Sequence, residues 1–287
     1  MLKEPNTCVD SGPFRVYSDG VDIVDAWINP NLGGPVAGDV SYLFAGLAER
    51  LERGTSLSEL VDQMDAAGVS RGVLCSGYTA PGDTEWCLEA RDKFPDRFAL
   101  SHVVDPREGM AAVRLVERLV QSEGYVLIRM LGLQTQLYYN DPAYYPVYAK
   151  CVELGVPVGL NVGFPGPQVP SKYQDPLPVD DVCAFFPELT VVLQHGGEPW
   201  VDLCVKLMIK WPNVHYMTSA IAPKHVPAQV LHYANTRGAD RVMFASDFPL
   251  LTHERCATEL AAMPFRDAER HEKFCSGNAA ALFFGKS

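Results

Sequence analysis

Short apolar runs alternate along this chain with segments whose apolar residues recur at helical spacing. The runs that predict strands cover residues 21–26, 72–75, 98–104, 125–130, 156–162, 189–193, 214–217 and 241–245. Near-continuous apolar strands are typical of parallel sheets that helices cover on both faces. The alternation therefore predicts an α/β fold, a single (β/α)₈ TIM barrel, with an open doubly wound sheet as the competing layout.

Two segments fall outside this alternation. Residues 1–20 are expected to form an N-terminal extension, and residues 30–54, which contain Gly33-Gly34-Pro35, are expected to form a loop or lid. The remaining pattern continues to a last predicted helix over residues 267–284. A barrel of this kind takes about 250 residues, so residues 1–287 are interpreted as one domain.

Composition and charge narrow the class of partners. The chain is 47% hydrophobic and 21% charged, which is typical of a globular enzyme. Its net charge of -11 argues against nucleic acid and anionic membranes as partners. The eight cysteines form no C-x-x-C pair, and neither a signal peptide nor a membrane-spanning run is evident. We therefore expect a cytoplasmic protein with reduced thiols; a homo-oligomer is compatible with the sequence.

Polar residues follow or end most of the predicted strands. They are Asp25, Trp27, Asn29, Ser76, Tyr78, His102, Arg129, Asn161, His195, Thr218, Ser219, Ser246 and Asp247. In a TIM barrel the carboxyl ends of the strands meet at one face, where catalytic groups are carried by the following loops. This ring of polar groups predicts an active site there.

Three motifs resemble one known family. They are the sixth-strand region 180–200, which includes His195-Gly196-Gly197-Glu198-Pro199, the segment 241–249 and the closing segment 277–283. Together and in this order they resemble the amidohydrolase-related (amidohydrolase 2) family of the amidohydrolase superfamily. That family includes aminocarboxymuconate-semialdehyde decarboxylase and pyrone-dicarboxylate lactonases. The resemblance implies a metal-dependent-hydrolase-like barrel that acts on a small acidic substrate.

The resemblance also implies a metal site, which this sequence carries incompletely. The family pattern has His-x-His on the first strand, a His on the fifth, a His on the sixth and an Asp on the eighth. Here Trp27, Asn29 and Asn161 stand at three of these positions, and His195 and Asp247 match. Zinc usually needs three or four protein ligands, so we expect no tightly bound metal. A single zinc or manganese is the alternative.

Three residues are expected to carry the chemistry. Asp247 is interpreted as a general base towards water or a substrate proton, with a turn cap before Pro249 as its structural alternative. His195 would orient the substrate and donate to developing negative charge. Arg129 would hold a carboxylate through its planar donor fork, with a structural ion pair as the alternative.

The remaining site residues are interpreted as substrate contacts. They are Trp27 and Tyr78 as pocket walls, Asn29 and Asn161 as hydrogen-bonding groups, and His102, whose strand register is open. The expected reaction is hydrolysis of a lactone or a similar activated carbonyl in a small cyclic or aromatic acid. Decarboxylation or hydration of such an acid is the second hypothesis, and a non-catalytic ligand-binding barrel is the third.

Overall fold

Eight parallel strands form one sheet whose order follows the sequence from β1 to β8. The computed structural model describes residues 22–34 and 41–285, so the predicted extension 1–20 lies outside the described residues. The strands are β1 (Ile23–Ile28), β2 (Val69–Ser76), β3 (Phe98–Val103), β4 (Leu127–Met130), β5 (Val158–Asn161), β6 (Val191–Gln194), β7 (Val214–Met217) and β8 (Val242–Met243).

Backbone hydrogen bonds between the residues that follow β8 and strand β1 close the sheet into a barrel. The amide of Ala26 donates to the carbonyl of Phe244 at 3.3 Å, and the amide of Asp247 donates to the carbonyl of Trp27 at 3.0 Å. A further parallel bridge joins Ile28 to Phe248. The TIM-barrel prediction is confirmed, and the open sheet is excluded because β1 has neighbours on both sides.

Twelve α-helices are assigned within the described residues. They are α1 (Leu47–Arg53), α2 (Leu57–Ala66), α3 (Asp83–Lys93), α4 (Met110–Gln121), α5 (Gly132–Thr135), α6 (Tyr145–Leu154), α7 (Val179–Phe185), α8 (Val201–Lys210), α9 (Ala228–Ala234), α10 (His253–Ala261), α11 (Ala268–Glu272) and α12 (Asn278–Phe283). A π-helical turn, Lys273–Gly277, joins the last two. No helix among the described residues has the length and apolar character needed to cross a membrane.

The predicted loop 30–54 requires a correction, because helix α1 lies inside it. The run Leu47-Ala48-Glu49-Arg50 consists of good helix formers, a signal that the nearby glycines obscured. The Nε atom of Arg50 donates to the carbonyl of Pro249 at 3.3 Å, so α1 is fastened to the segment that follows β8. Residues 35–40 lie outside the described residues.

Successive side chains of the strands face alternately the barrel interior and the surrounding helices, as strand geometry requires. On β4, Leu127 belongs to the interior cluster and Ile128 to the outer cluster, so Arg129 faces the interior. On β3, Val103 is interior and Leu100 is outer, which places His102 on the outer side. The period of two therefore separates two residues that the sequence had grouped in one site.

Candidate active site

Asp247 stands in a sharp turn four residues after Met243, the last residue of β8. Its φ angle is 57°, in the left-handed region, and the residue is only 3% exposed. A non-glycine residue in this region costs about 1–2 kcal/mol, although Asp tolerates it better than most. The surrounding contacts must therefore hold the turn, and the first of them is the amide of Asp247 donating to the carbonyl of Trp27.

A hydrogen-bonded circuit joins β1 to the Asp247 carboxyl group. The indole Nε1 of Trp27 and the hydroxyl of Tyr78 both donate to Asn29 Oδ1, at 2.7 and 2.9 Å. In turn, Asn29 Nδ2 donates to Asp247 Oδ1 at 2.7 Å and to the carbonyl of Phe248 at 2.9 Å. Asn29 is thus fixed in orientation and presents a donor, rather than an acceptor, to Asp247.

His195 faces the other oxygen of the same carboxyl group. Its Nδ1 lies 3.7 Å from Asp247 Oδ2, and its ring centroid lies 4.8 Å from that of Trp27. His195 is also left-handed, with φ 63°, and its amide donates to Ser219 Oγ at 3.0 Å. Two of the four non-glycine residues with left-handed φ angles among the described residues therefore meet at the mouth of the barrel, and such residues cluster at functional sites.

Burial shifts the proton affinities of this pair in opposite directions. It raises the pKa of Asp247, against the opposing effects of His195 and of the hydrogen bond from Asn29. It lowers the pKa of His195, against the opposing effect of the Asp247 carboxylate. Both shifts have the same physical cause, because burial disfavours the charged form of each group.

The loop after β2 is organised by a residue that the sequence analysis missed. Asp83, at the start of α3, accepts hydrogen bonds at 3.0 Å from the amides of Gly77, Tyr78 and Thr79. This contact holds the loop so that the Tyr78 hydroxyl reaches Asn29. An acidic residue at the start of a predicted helix would have been the signal, but α3 was not assigned from the sequence.

Arg129 lies beneath this group, inside the barrel, and is 0% exposed. Its Nε donates to Ser101 Oγ at 2.8 Å and one terminal nitrogen donates to the carbonyl of Ala26 at 3.0 Å. Its guanidinium carbon lies 3.7 Å from the centroid of the Trp27 ring. The predicted carboxylate clamp is thus directed at barrel-wall acceptors, and Arg129 contacts the site through Trp27. Among the described residues no Asp or Glu carboxylate lies within 4.0 Å of the Arg129 guanidinium, so the alternative ion pair is not formed there either.

No hydrogen bond joins His102 or Asn161 to Asp247 in the described part of the chain, although Asn161, unlike His102, faces the barrel interior, because its neighbour Leu160 belongs to the outer cluster. His102 Nδ1 lies 2.8 Å from Ser76 Oγ, and its ring meets the edge of Tyr125 at 5.7 Å. Asn161 ends β5 and is buried, but its side-chain oxygen has no hydrogen-bond partner among the described residues. Their roles in substrate binding stay predictions, with no hydrogen bond to Asp247 to support them.

The protein side chains at this mouth offer few donors to a metal. The described residues contain no group of three or more His, Cys, Asp or Glu side chains that could hold an ion. His195 and Asp247 supply two donors, and Asn29 Oδ1 is already occupied by Trp27 and Tyr78. By their own side chains the residues present do not fit a zinc site with three or four protein ligands.

Comparisons with known proteins relate this barrel to decarboxylases. Gamma-resorcylate decarboxylase of Rhizobium sp. (strain MTP-10005) is 27% identical over 238 residues, which cover 67% of this chain and 71% of that enzyme. An uncharacterised TIM-barrel protein of Bordetella bronchiseptica superposes with a TM-score of 0.73 at 23% identity, covering 91% of this chain and 98% of that one. The 5-carboxyvanillate decarboxylase of Sphingomonas paucimobilis superposes with a TM-score of 0.69 at 17% identity, covering 92% of this chain and 99% of that one.

The expectation that the protein works without a metal is corrected by similar solved structures. A 5-carboxyvanillate decarboxylase of Novosphingobium aromaticivorans (TM-score 0.68, 18% identity, covering 93% of this chain and 97% of that one) contains manganese. A dihydroxybenzoic acid decarboxylase of Polaromonas sp. JS666 also contains manganese (TM-score 0.67, 20% identity, covering 93% of this chain and 98% of that one). Counting matched protein ligands was a poor guide, because manganese also accepts oxygens from substrates and water.

The match to a family model extends over nearly all of the described barrel. Residues 24–285 fit the model described as Amidohydrolase, from the second residue of β1 to the last described residue. This range includes the Asp247 turn, His195 and the closing helices on which the resemblance was based. The family prediction is confirmed, and the chain belongs to the amidohydrolase family.

Proposed function

We propose that this protein is a decarboxylase that acts on a small hydroxylated aromatic carboxylic acid. The observation that carries the proposal is the buried Asp247 carboxyl group at the barrel mouth, which lies 3.7 Å from His195 Nδ1 and whose pKa is raised by burial. The likeness to gamma-resorcylate decarboxylases of two Rhizobium strains supports the substrate class. A similar fold has also been solved with 2,6-dihydroxybenzoate bound.

The chemistry of such a reaction requires a proton donor. When the bond between the ring carbon and the carboxylate breaks, carbon dioxide leaves and its electron pair stays on the ring carbon. That carbon must then receive a proton, which a carboxylic acid held in a dry pocket can deliver. Asp247 would give its proton to the ring carbon and recover one from water. A raised pKa serves this role because it keeps more of the carboxyl group protonated near neutral pH.

The residues around Asp247 would place the ring. Trp27 and Tyr78 are linked to the carboxyl group through Asn29, and they would form the aromatic wall against which the substrate ring packs offset or edge to face. His195 would donate a hydrogen bond to a substrate oxygen. The cation of Arg129 beneath Trp27 would attract an anionic substrate through the ring without touching it.

Decarboxylation replaces the lactone hydrolysis that the sequence favoured. Hydrolysis would use Asp247 as a base, and a raised pKa strengthens a carboxylate base as well as favouring its protonated form, so the pKa alone does not choose between the two reactions. The curated relatives with a stated reaction are decarboxylases. The proposal therefore takes the earlier alternative, with Asp247 as the proton donor.

The experiment incubates the purified protein with 2,6-dihydroxybenzoate and with 5-carboxyvanillate in D₂O, as purified and with added manganese. We expect release of carbon dioxide and one deuterium on the ring carbon that carried the carboxylate. Benzoate, which lacks hydroxyl groups, serves as the control substrate and should react far more slowly. Hydrolysis of an aromatic lactone without carbon dioxide release would contradict the proposal, and binding without turnover of either acid would favour a non-catalytic barrel.

A further inference from the structure

A second carboxylate, Asp25, lies buried at the seam where β1 meets the segment after β8. It is 0% exposed and accepts hydrogen bonds from the amide and the hydroxyl of Ser246, at 2.8 and 2.5 Å. The amide of Trp27 and Nε2 of His253 are its other donors, at 3.2 and 3.1 Å. A carboxylate so supplied with donors is a fixed anchor, because a small movement would break several charge-assisted hydrogen bonds.

His253, the first residue of α10, extends this anchor to the far side of the Asp247 turn. The residue is buried, and its ring stacks on Phe248 with the centroids 5.0 Å apart and the planes 6° from parallel. Since Nε2 faces the carboxylate of Asp25, that nitrogen carries a proton. No motif in the sequence singled out His253, which is 228 residues from Asp25.

The two residues that flank Asp247 are therefore both held by this pair. Ser246 is bound by Asp25, and Ser246 Oγ also accepts from the amide of Phe248 at 2.9 Å. Phe248 is packed by the ring of His253. Neither member of the pair hydrogen-bonds His195 or the side chain of Asn29 in the described part of the chain, so besides the charge of Asp25, which adds to the effect of burial in raising the pKa of Asp247, they act on the site through the turn.

We propose that Asp25 and His253 are positioning residues that hold Asp247 in its left-handed turn, aligned with Asn29 and His195. The inference rests on the proposed role of Asp247 in proton transfer. A proton donor must approach the reacting carbon in one geometry, and a misplacement of about 1 Å can reduce a rate about 100-fold. A left-handed Asp keeps such a geometry when its neighbours over-determine it.

Two substitutions of His253 separate its hydrogen bond to Asp25 from its stacking on Phe248. His253→Phe keeps a ring to stack on Phe248 but removes the donor to Asp25, and His253→Gln keeps an N–H donor but removes the ring. We expect His253→Phe to reduce kcat on the accepted hydroxybenzoate about 10- to 100-fold, with KM changed less than about twofold. His253→Gln should recover a large part of that loss, because the bond to Asp25 is restored.

His271 provides a matched control. Its Nε2 lies 2.9 Å from the carbonyl of Leu260 and its ring stacks on Phe265 at 5.1 Å, so it combines the same kinds of contact away from the site. His271→Phe should leave kcat unchanged even where it lowers the melting temperature. Equal losses of kcat in His271→Phe and His253→Phe would overturn the proposal, since general destabilisation would then explain both.

Crystal structures of the variants test the same idea without a substrate. In His253→Phe the Asp247 carboxyl group should move by about 0.5 Å or more relative to Asn29, enough to spoil a catalytic geometry. If the wild-type protein turns over no hydroxybenzoate, the proposed function fails. The crystal structures would still show whether His253 positions the Asp247 carboxyl group. An unmoved Asp247 overturns the positioning role. If His253→Phe does not fold, Ser246→Ala removes the Asp25–hydroxyl contact and is judged by the same measurements.

Discussion

Two buried carboxylates lie where the barrel closes, Asp25 on β1 and Asp247 in the turn after β8, and their surroundings differ. Asp25 receives four hydrogen bonds, from Trp27, His253 and both donors of Ser246. The side chain of Asp247 receives one, from Asn29, and His195 stands 3.7 Å from its other oxygen. The environment, rather than the residue type, thus assigns a fixed structural anchor to one carboxylate and proton chemistry to the other.

The contrast between the two carboxylates predicts that Asp247 is needed for turnover, and this prediction has the largest expected effect. Asp247→Asn keeps the size and the hydrogen bond from Asn29 but removes the exchangeable proton, so turnover should fall about 100- to 10,000-fold. Carbon dioxide release is the measurement, and Asp202→Asn on the exposed surface of α8 is the control. Melting should occur no earlier than in the wild type, because a poorly supplied buried carboxylate is replaced by a neutral amide. Full turnover in Asp247→Asn would make this turn a structural feature only.

Asp25→Asn should lower the stability of the protein, in contrast to Asp247→Asn, whose main effect should be on turnover. An amide nitrogen would replace an oxygen that accepts hydrogen bonds and would face donors from Ser246 or His253. We expect a loss of about 3 kcal/mol in the free energy of unfolding, measured by urea titration. If Asp25→Asn unfolds like the wild type while Asp247→Asn is destabilised, the assignment of the two carboxylates is reversed.

Arg129→Lys tests whether the cation beneath the site is structural. Lysine lacks the guanidinium fork that bonds Ser101 Oγ and the carbonyl of Ala26 and that stacks on Trp27. We expect the free energy of unfolding to fall by about 2 kcal/mol, with KM for the acid changed little, since Arg129 is fully buried. Unchanged unfolding with a much larger KM would return Arg129 to the role of a carboxylate clamp.

The pH dependence of turnover gives the mildest test of the role of Asp247. Burial raises its pKa, so the protonated donor is fully present below the shifted pKa and is lost as the pH rises through it. Turnover should therefore decline with rising pH, by about tenfold per unit once the carboxyl group is mostly ionised. Burial lowers the pKa of His195, which moves its own titration towards lower pH. A rate that increases with pH would favour the general-base role instead.

The sequence was sufficient for the fold and for naming two residues that lie together in the candidate site. Eight apolar runs separated by helical spacing predicted the barrel, because strand and helix periodicity are local properties of the chain. The motif after the eighth strand and the Gly-Gly turn after the sixth pointed to Asp247 and His195, which the structure brings to 3.7 Å. Helix α1 was missed because glycines and a proline nearby dominated the local signal.

Tertiary structure alone decided how the remaining residues are used. The contact between Asn29 and Asp247 spans 218 residues and exists because β8 closes onto β1. The strand period of two turned His102 to the outer side and sealed Arg129 within the barrel, which strand-end position could not distinguish. The number of donors around Asp25 and Asp247 depends on such distant partners. The sequence shows two aspartates but not their hydrogen-bond partners. Closure of the barrel gives the Asp25 carboxylate four hydrogen-bond donors and the Asp247 carboxyl group one.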